Sequence, residues 1–322
     1  MSKKTINIFS SCDGNYIRHI PTLLMSIHDN MSPYHIRFFF LHTNIDKEEL
    51  NPIYKFCQTI GIDFSDIRMS SEKIEKYRKL RELTVFTSDR PFSLEGMFIC
   101  LPNIDLPSDV DRALYLDAGD IILSGDISEF YFSDFNGNLI NASKGFGDNW
   151  QYTAENLYDV KSFSEISSEY FNSGSVLFNV NLMRSLNIDF DYYYSFLKTI
   201  RYYTPEYTSI YMPGRSFVVT DDQGLLSSAF VGNIQFYDPK GLGATITPYN
   251  FRPYLLELHK DENPQIKNLT LNSVDPRIIH YIGNKPWTPA DKRKSLLKIS
   301  QESLALWDKY EKMAEQLMGG QK

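Results

Sequence analysis

Short apolar runs alternate with amphipathic segments from residue 5 to residue 69, and this alternation restricts the fold more than any other feature of the sequence. Residues 5–12, 36–41 and 62–69 read as buried strands. Between the first and second strands, apolar side chains recur at helical spacing. After the second strand, Asp46 is placed to cap another helix, which ends near Gly61. Strands that alternate with helices pair in parallel, which predicts an α/β fold with a Rossmann-like, mostly parallel sheet flanked by helices.

The rest of the chain continues this pattern with longer connections. Further strands are predicted at 113–116, 139–143, 175–180 and 278–282, and further helices at 190–203, at 221–230 and near the C-terminus. The stretch 145–172 is polar and aromatic, and a connection of that length is uncommon unless it is functional. We expect one domain over residues 1–290, followed by a C-terminal helix over residues 291–322.

The net charge of −7 and the cysteine content exclude several classes of protein. Nucleic-acid binders hold phosphate backbones on basic surfaces, which this charge does not favour. Cys12, Cys57 and Cys100 are odd in number and lack metal-type spacing, so neither a disulfide framework nor a zinc site is predicted. The N-terminus has no signal-peptide pattern, and no segment reaches the roughly 18 apolar residues of a membrane span, so a cytoplasmic protein is expected.

An acidic turn follows the strand predicted at 113–116. Asp117-Ala118-Gly119-Asp120 lies at the carboxyl end of that strand, where ligands bind in open α/β sheets. Two carboxylates in one tight turn repel each other unless a positive charge lies between them, and a hard divalent ion such as Mn²⁺ or Mg²⁺ suits them. Two solvated acids in a loop would produce the same pattern, so this segment alone leaves both interpretations open.

His280 adds a third possible metal ligand from the far end of the sequence. It lies in an apolar strand, where a histidine is often an ordinary core residue. Here Gly283 and Lys285 follow it closely, and Lys285 could neutralise a phosphate. An imidazole added to two carboxylates shifts the preferred ion from Mg²⁺ toward Mn²⁺.

Three other segments place polar groups next to predicted elements. In the turn at 12–16, Asp13 could accept hydrogen bonds from a base or ribose and Tyr16 could stack on a ring, although the turn needs no ligand. Residues 170–175 offer amide and hydroxyl groups that suit a sugar, or form an ordinary turn into a strand. Residues 221–224 begin a helix, where carboxylates are favoured by the helix dipole as well as by any catalytic role.

Taken in order, five motifs resemble those of glycosyltransferase family 8, whose members are retaining transferases of the GT-A fold. These include bacterial galactosyl- and glucosyltransferases of lipopolysaccharide and capsule assembly, and glycogenin is similar. The motifs are Cys-Asp-Gly-Asn-Tyr (12–16), Leu-Tyr-Leu-Asp-Ala-Gly-Asp (114–120), Phe-Asn-Ser-Gly (171–174), Asp-Asp-Gln (221–223) and His-Tyr-Ile-Gly-Asn-Lys-Pro-Trp (280–287). The resemblance extends along nearly the whole chain, to about residue 290.

The resemblance implies a role for each motif. The nucleotide of a UDP-sugar donor would be held by Ser11, Asp13, Asn15, Tyr16, Asp117, Gly283 and Lys285. Mn²⁺, or alternatively Mg²⁺, would be bound by Asp117, Asp120 and His280. The donor sugar would contact Asn172, Ser173 and Gln223, and the catalytic residues would be Asp222 and Gln223.

The sequence departs from the family pattern at two places. The common metal motif is D-x-D, whereas two residues separate Asp117 from Asp120, so Asp120 either reaches the ion through a different turn or binds it through water. Many members also carry an arginine in the helix before the metal strand. Residues 96–99 contain none, and Arg90 is the nearest candidate.

The implied reaction moves a hexose, galactose or glucose, from UDP to a hydroxyl of a glycan, glycolipid or glycoprotein with retention of configuration. A double displacement needs a nucleophile beneath the ring, and Gln223 is a poor one, while Asp222 is the adjacent carboxylate. This favours front-face attack with the departing phosphate oxygen as the base. The alternatives are an inert UDP-sugar-binding protein and a glycoside hydrolase with paired carboxylates, which would leave His280 and Lys285 without a role.

The C-terminal helix carries an apolar face. Trp307, Tyr310, Ala314 and Leu317 fall on one side of it. Packing on the main domain or on a second copy in a homodimer would cover this face. Peripheral attachment to the inner face of the cell membrane is the functional alternative, suggested by the lipid-linked acceptors of similar enzymes.

Overall fold

A seven-stranded sheet in the order β3-β2-β1-β4-β7-β6-β8 forms the centre of the protein in a computed structural model. The structure describes residues 3–84, 93–144, 171–203, 221–237, 246–248, 277–281, 285–289 and 301–319. The strands of this sheet are β1 (Thr5–Ser11), β2 (His35–His42), β3 (Asp63–Arg68), β4 (Ala113–Leu116), β6 (Ile140–Lys144), β7 (Phe171–Phe178) and β8 (Ile234–Tyr237). All pairings are parallel except those of β7, which runs antiparallel to both β4 and β6. The predicted mostly parallel sheet is therefore confirmed.

A second, three-stranded sheet lies at the end of β4. It consists of β5 (Ile121–Leu123), β9 (Ile246–Pro248) and β10 (Ile278–His280), in the order β5-β10-β9. β10 runs antiparallel to β5, and the register pairs His280 with Ile121. This pairing places the end of the chain's last described strand beside the residues that directly follow the acidic turn.

Helices cover the sheet. Those within the described residues are α1 (Ile20–Met31), α2 (Lys47–Ile60), α3 (Ser71–Leu83), α4 (Pro102–Asp105), α5 (Ser128–Tyr131), α6 (Val180–Ser185), α7 (Phe190–Tyr203), α8 (Asp221–Ala229) and α9 (Gln301–Gly319), with 3₁₀ turns at Ile17–His19 and Leu94–Cys100. Among them, none combines the length and apolar character that crossing a membrane requires.

The ends of α2 show how the sequence sets element boundaries. Asp46 and Glu49 form a capping box, in which each side chain meets the backbone N–H of the other residue. At the other end Gly61 adopts a φ of 71°, a left-handed conformation that glycine reaches without strain. The helix predicted from Asp46 to about Gly61 is confirmed as Lys47–Ile60.

Strand order determines where a ligand crevice can form. β1 pairs with β2 on one side and with β4 on the other, so connections leave the sheet in opposite directions between β1 and β4. In open α/β sheets this switch point opens a crevice at the carboxyl ends of the strands. The turn after β1 and the acidic turn after β4 meet at this crevice.

Two segments differ from the sequence expectations. The strand predicted at 175–180 is observed at Phe171–Phe178, so Asn172 and Ser173 lie inside β7 and not in a turn before it. β7 starts early because Phe171 pairs with Lys144 across a register shift in β6. The charged segment after β3, for which no element was predicted, forms α3, with Tyr77 and Leu80 as its buried residues.

The apolar face of α9 packs on α1 and α2 of the main domain. Trp307, Tyr310 and Ala314 are buried, whereas Leu317 is 37% exposed. Of the coverings expected for this face, packing on the main domain is the one observed.

Arg184 holds the loop that leads into β4. Its guanidinium donates hydrogen bonds to five backbone carbonyl oxygens, at distances of 2.6–3.3 Å. The acceptors are Asn103, Leu106, Pro107, Ser108 and Val110. No other side chain type presents this many donors in one plane.

We expect Arg184→Met to lower the free energy of unfolding by about 2–3 kcal/mol, because it leaves several partly buried carbonyl groups without donors. Urea unfolding monitored by circular dichroism measures this change. The matched control is Arg37→Met, which removes an ion pair to exposed Asp109 worth less than about 1 kcal/mol. Equal destabilisation by the two substitutions would contradict this role for Arg184.

Candidate active site

The acidic turn folds back on itself at Gly119. This residue has a φ of 83°, in the left-handed region that glycine favours, so the chain reverses between Asp117 and Asp120. The Asp120 carbonyl oxygen then accepts a hydrogen bond of 2.8 Å from the backbone N–H of Tyr281. The turn thereby carries both carboxylates to one side and fixes the second of them next to β10.

Asp117, Asp120 and His280 come together as the sequence predicted. Each offers a ligand atom, and these atoms all lie within 4.8 Å of one another. His280 Nε2 is 3.4 Å from Asp117 Oδ2 and 3.6 Å from Asp120 Oδ2. Two carboxylates and an imidazole at this separation match the donor set of a divalent transition-metal ion.

One oxygen of Asp120 provides an independent test of this fit. Asp120 is 7% exposed, and its Oδ1 atom is buried with no hydrogen-bond donor among the described residues. A buried carboxylate oxygen without a donor is costly, and a bound cation would satisfy it. The residues present therefore fit a divalent cation.

Asn172 orients the imidazole. Its side-chain oxygen lies 3.0 Å from His280 Nδ1 and also accepts a hydrogen bond of 3.0 Å from the backbone N–H of Gly174. Because this oxygen can only accept, Nδ1 carries the hydrogen and the lone pair of Nε2 faces the two carboxylates. This is the tautomer a metal-binding histidine needs. It also places Asn172 next to the candidate metal-binding residues, a position that its expected sugar contact did not require.

Gly174 makes room for the imidazole and for Asp117. A Cβ atom at this position would lie 2.3 Å from His280 Cε1, 2.6 Å from His280 Nδ1 and 2.9 Å from Asp117 Oδ2. All three distances are shorter than van der Waals contact. Sequence analysis had not singled out this glycine for that role, although a glycine inside a strand is typical of a place where other groups approach closely.

Lys285 lies against the same carboxylate. Its ammonium group donates to Asp120 Oδ2 and, at 3.2 Å, to the Tyr281 carbonyl oxygen. Burial would raise the pKa of Asp120, but the charge of Lys285 holds it below its usual range. Burial and then the charge of Asp120 raise the pKa of Asp117 above its usual value. The site therefore concentrates negative charge on Asp120, which the Lys285 ammonium faces.

Tyr115 is a site residue that sequence analysis missed. It lies in β4, two residues before Asp117, so both side chains point to the same face of the strand. Its hydroxyl is 3.4 Å from Ser11 Oγ, and its proximity to Asp117 lowers the pKa of that carboxyl against the effect of burial. Burial, the charge of Asp117 and the charge of Asp222 raise its pKa, so the hydroxyl stays a donor. The period-two spacing in Leu-Tyr-Leu-Asp is the signal that could have identified it.

The expected catalytic residues lie at the start of α8, next to β7. Gln223 Oε1 accepts a hydrogen bond of 3.0 Å from the Ser173 backbone N–H and lies 3.4 Å from Ser173 Oγ. The negative charge of Asp222 acts on the Tyr115 hydroxyl. Ser173, Asp222 and Gln223 are therefore grouped within reach of the acidic turn.

The turn after β1 is stabilised by its own side chains. Asp13 Oδ1 accepts a hydrogen bond of 2.9 Å from the Asn15 backbone N–H, which leaves its other oxygen for a ligand. Tyr16 packs edge-on against Trp287 with 5.8 Å between ring centroids. A Cβ atom on Gly119 would lie 3.0 Å from Tyr16 Cδ1, so this turn lies in contact with the acidic turn. Gly283 and Arg90, both considered in the sequence analysis, lie outside the described residues.

We expect Gly174→Ala to raise the Mn²⁺ dissociation constant at least about tenfold, because the methyl group displaces His280 and Asp117. Isothermal titration calorimetry measures the affinity. Gly96→Ala is the matched control, since a Cβ atom there meets nothing within 4 Å. Unchanged affinity in a folded Gly174→Ala protein would contradict the arrangement described for these ligands.

Comparison with known proteins agrees with this geometry. The model of the family described as glycosyl transferase family 8 matches residues 7–290. Among curated proteins, the chain is 20% identical over 286 residues to general stress protein A of Bacillus subtilis, covering 88% of this chain and 87% of that protein. It is 25% identical over 294 residues to glycosyltransferase GlyB of Streptococcus pneumoniae, covering 88% of this chain but only 58% of the relative's length.

Among solved structures, the fold is similar to that of galactosyltransferase LgtC in complex with donor and acceptor sugar analogs. The TM-score is 0.64 at 17% identity, and the match covers 94% of this chain and 96% of that one. The glycosyltransferase GlyE of Streptococcus pneumoniae gives a TM-score of 0.57 at 18% identity, over 98% of this chain and 63% of that one. The family match, which covers most of the sequence and all five motifs, shows that this chain belongs to glycosyltransferase family 8 and has its GT-A fold.

Proposed function

We propose that this protein transfers a hexose from a UDP-sugar to a hydroxyl of a glycan, glycolipid or glycoprotein acceptor, with Mn²⁺ as cofactor and with retention of configuration. The observation that carries the proposal is the convergence of Asp117, Asp120 and an Asn172-oriented His280 beside Lys285. A divalent cation held by Asp117, Asp120 and His280 would supply positive charge against the donor's diphosphate. An imidazole among the ligands favours Mn²⁺ over Mg²⁺.

Lys285 would provide a second, fixed positive charge. A nucleoside diphosphate leaving group gathers negative charge as the glycosidic bond breaks, and a preorganised ammonium stabilises that charge. Burial would lower the pKa of Lys285, but the charge of Asp120 raises it above its usual value, so the ammonium stays protonated. Because Lys285 contacts Asp120, a change of its side-chain rotamer would bring the ammonium to a diphosphate held at the metal ligands.

The nucleotide would lie over the turn after β1. Asp13 keeps one carboxylate oxygen outside its own turn, and Tyr16 offers a half-buried ring next to the acidic turn. Asn15 is exposed, and Ser11 lies beneath the turn against Tyr115. These positions support contacts from Asp13, Asn15 and Tyr16 to the uridine, and an indirect role for Ser11.

The donor sugar would lie between β7 and α8. Ser173 and Gln223 already hydrogen-bond each other there, and Asn172 lies next to the metal ligands. Gln223 is an amide and therefore a weak nucleophile. This supports front-face attack, in which the departing phosphate oxygen takes the proton of the acceptor hydroxyl while Asp222 acts through its charge.

The relatives bear on the donor only in general terms. LgtC is a galactosyltransferase whose structure contains donor and acceptor sugar analogs, which supports a hexose donor for a chain of the same fold. Galactose and glucose both fit this proposal. Three of the four residues of the apolar face of α9 are buried inside the protein, so a membrane or dimer contact through that helix would use Leu317 and the other faces of the helix.

A donor screen tests the proposal directly. Incubation with UDP-glucose, UDP-galactose or UDP-N-acetylglucosamine and Mn²⁺ should release UDP, most rapidly from one of the two hexose donors. A chelator should abolish this release, and added Mn²⁺ should restore it. Turnover that survives the chelator would contradict the metal assignment, and tight UDP-sugar binding without turnover over a broad acceptor panel would favour an inert binding protein.

We expect Lys285→Met to bind Mn²⁺ alone roughly three- to tenfold more tightly than the parent protein, because the ammonium no longer competes for Asp120, and to bind UDP more weakly. Calorimetric titrations with Mn²⁺ and with UDP separate the two effects. Lys309→Met, which removes a surface ion pair to Asp29, is the matched control. Weaker binding of both ligands would contradict competition at Asp120.

Asp222→Asn distinguishes the two retaining mechanisms. Front-face attack predicts that turnover falls less than about 100-fold, whereas loss of a covalent nucleophile costs on the order of 10⁴-fold or more. Steady-state rates with the preferred donor measure the effect. Intact-mass analysis with donor alone is the complementary test, since a hexosyl adduct on Asp222 would contradict front-face attack.

A further inference from the structure

The C-terminal helix α9 lies beyond residue 290, where the family match ends, yet it contacts residues that pack against the acidic turn. Besides its buried apolar face, two polar contacts join it to α1, a hydrogen bond of 3.0 Å from Asn30 to the Tyr310 hydroxyl and an ion pair of 2.8 Å between Lys309 and Asp29. α1 itself begins directly after the turn that follows β1. The helix is thereby anchored to the element that leads out of the expected nucleotide turn.

Trp307 of this helix belongs to an aromatic cluster that ends at the acidic turn. Its side chain is fully buried, and its ring centroid lies 5.3 Å from that of Trp287. Trp287 stacks on His19 with 3.8 Å between centroids and meets Tyr16 edge-on. The indole of Trp287 is also 3.7 Å from the Cβ position of Gly119. Trp307 is thus separated from the acidic turn by one ring.

A second contact joins Trp307 to Tyr281, the residue that follows His280. Tyr281 packs edge-on against Trp307 with 5.4 Å between centroids, and its hydroxyl donates a hydrogen bond of 2.6 Å to the Ser303 carbonyl oxygen. The backbone N–H of Tyr281 in turn donates to the Asp120 carbonyl oxygen. The helix therefore holds the residue that directly follows His280.

The two residues that Trp307 contacts, Tyr281 and Trp287, lie on either side of Lys285 in the sequence. Tyr281 precedes it and its carbonyl oxygen accepts from the Lys285 ammonium, while Trp287 follows it in the same turn, closed by a hydrogen bond of 3.0 Å from the Thr288 N–H to the Lys285 carbonyl oxygen. We propose that Trp307 is a positioning residue of the donor site, which fixes Tyr281 and Trp287 and through them the placement of His280 and Lys285. The assignment of a ligand to that site rests on the proposed function.

Core packing alone would give Trp307 a role in stability and none in ligand affinity. A positioning role predicts an effect on affinity that is separate from stability, because His280 and Lys285 must be held to a fraction of an ångström for their charges to meet the ligand. Trp307→Leu removes the ring, and Trp307→Phe keeps an aromatic ring of smaller size. Tyr310→Phe removes a hydroxyl on the same helix that bonds Asn30, and it leaves Trp307 unchanged. The three variants separate these roles.

We expect Trp307→Leu to raise the UDP dissociation constant in Mn²⁺, and that of Mn²⁺ alone, by about tenfold, with Trp307→Phe recovering most of the loss. Tyr310→Phe should lower the melting temperature while both dissociation constants stay within about twofold of the parent. Calorimetric titration of the full chain, with the melting temperature recorded for each variant, provides these values. A folded Trp307→Leu protein with parental affinities would overturn the proposal.

If Trp307→Leu does not fold, Tyr281→Phe tests the same proposal. It removes the hydrogen bond to Ser303 and keeps the ring, and it should raise both dissociation constants by a few-fold; parental values would overturn the proposal in this variant also. Binding of Mn²⁺ and UDP by the parent protein distinguishes failure of the proposed donor from failure of the positioning role of Trp307. If it binds Mn²⁺ but not UDP, the proposed donor fails, and the effect of Trp307→Leu on Mn²⁺ affinity still decides the role of the helix.

Discussion

The burial of the Asp120 carboxylate is the constraint on which the rest of the site depends. A buried carboxylate beside a second one is unfavourable unless positive charge or hydrogen-bond donors surround it. Lys285 meets one of its oxygens, and His280 lies 3.6 Å from the same atom, while the other oxygen has no donor among the described residues. A divalent cation bound between Asp117, Asp120 and His280 would satisfy that oxygen and offset the negative charge of the two carboxylates.

The fold produces this arrangement by joining two sheets at one turn. β4 ends at Asp117, Gly119 reverses the chain, and β5 continues into the smaller sheet, where β10 brings His280 alongside. β7, the antiparallel strand, contributes Asn172 and Gly174, which orient the imidazole and leave space for it. The candidate metal-binding residues therefore lie at the ends of β4, β5 and β10, and the pairing of β10 with β5 brings His280 to the acidic turn from far along the sequence.

Much of this was predictable because it is local. Alternating strands and helices indicated the parallel sheet, Asp46 and Gly61 marked a helix, and the acidic turn with His280 predicted a metal site. The separation of Asp117 from Asp120 departs from the D-x-D pattern, and the left-handed conformation of Gly119 shows how both carboxylates still face one point. That conformation is a property of one turn and could be anticipated from the glycine.

The remaining features depend on contacts between distant segments, which a single sequence does not display. The early start of β7 follows from its pairing with β6, and it changes Asn172 from a turn residue into a partner of His280. Gly174 matters only because an imidazole from β10 lies over it. Trp307 likewise gains its place only when the C-terminal helix packs on α1.

The central claim is that a divalent cation binds to Asp117, Asp120 and the Nε2 atom of His280. Electron spin-echo envelope modulation of Mn²⁺ bound to the protein detects a directly coordinated nitrogen, and uniform ¹⁵N labelling against labelling of histidine alone assigns it. The account predicts one histidine nitrogen coupled to Mn²⁺, which disappears in His280→Gln and changes in Asn172→Ala. Bound Mn²⁺ with no nitrogen coupling, or with a coupling that persists in His280→Gln, would contradict it.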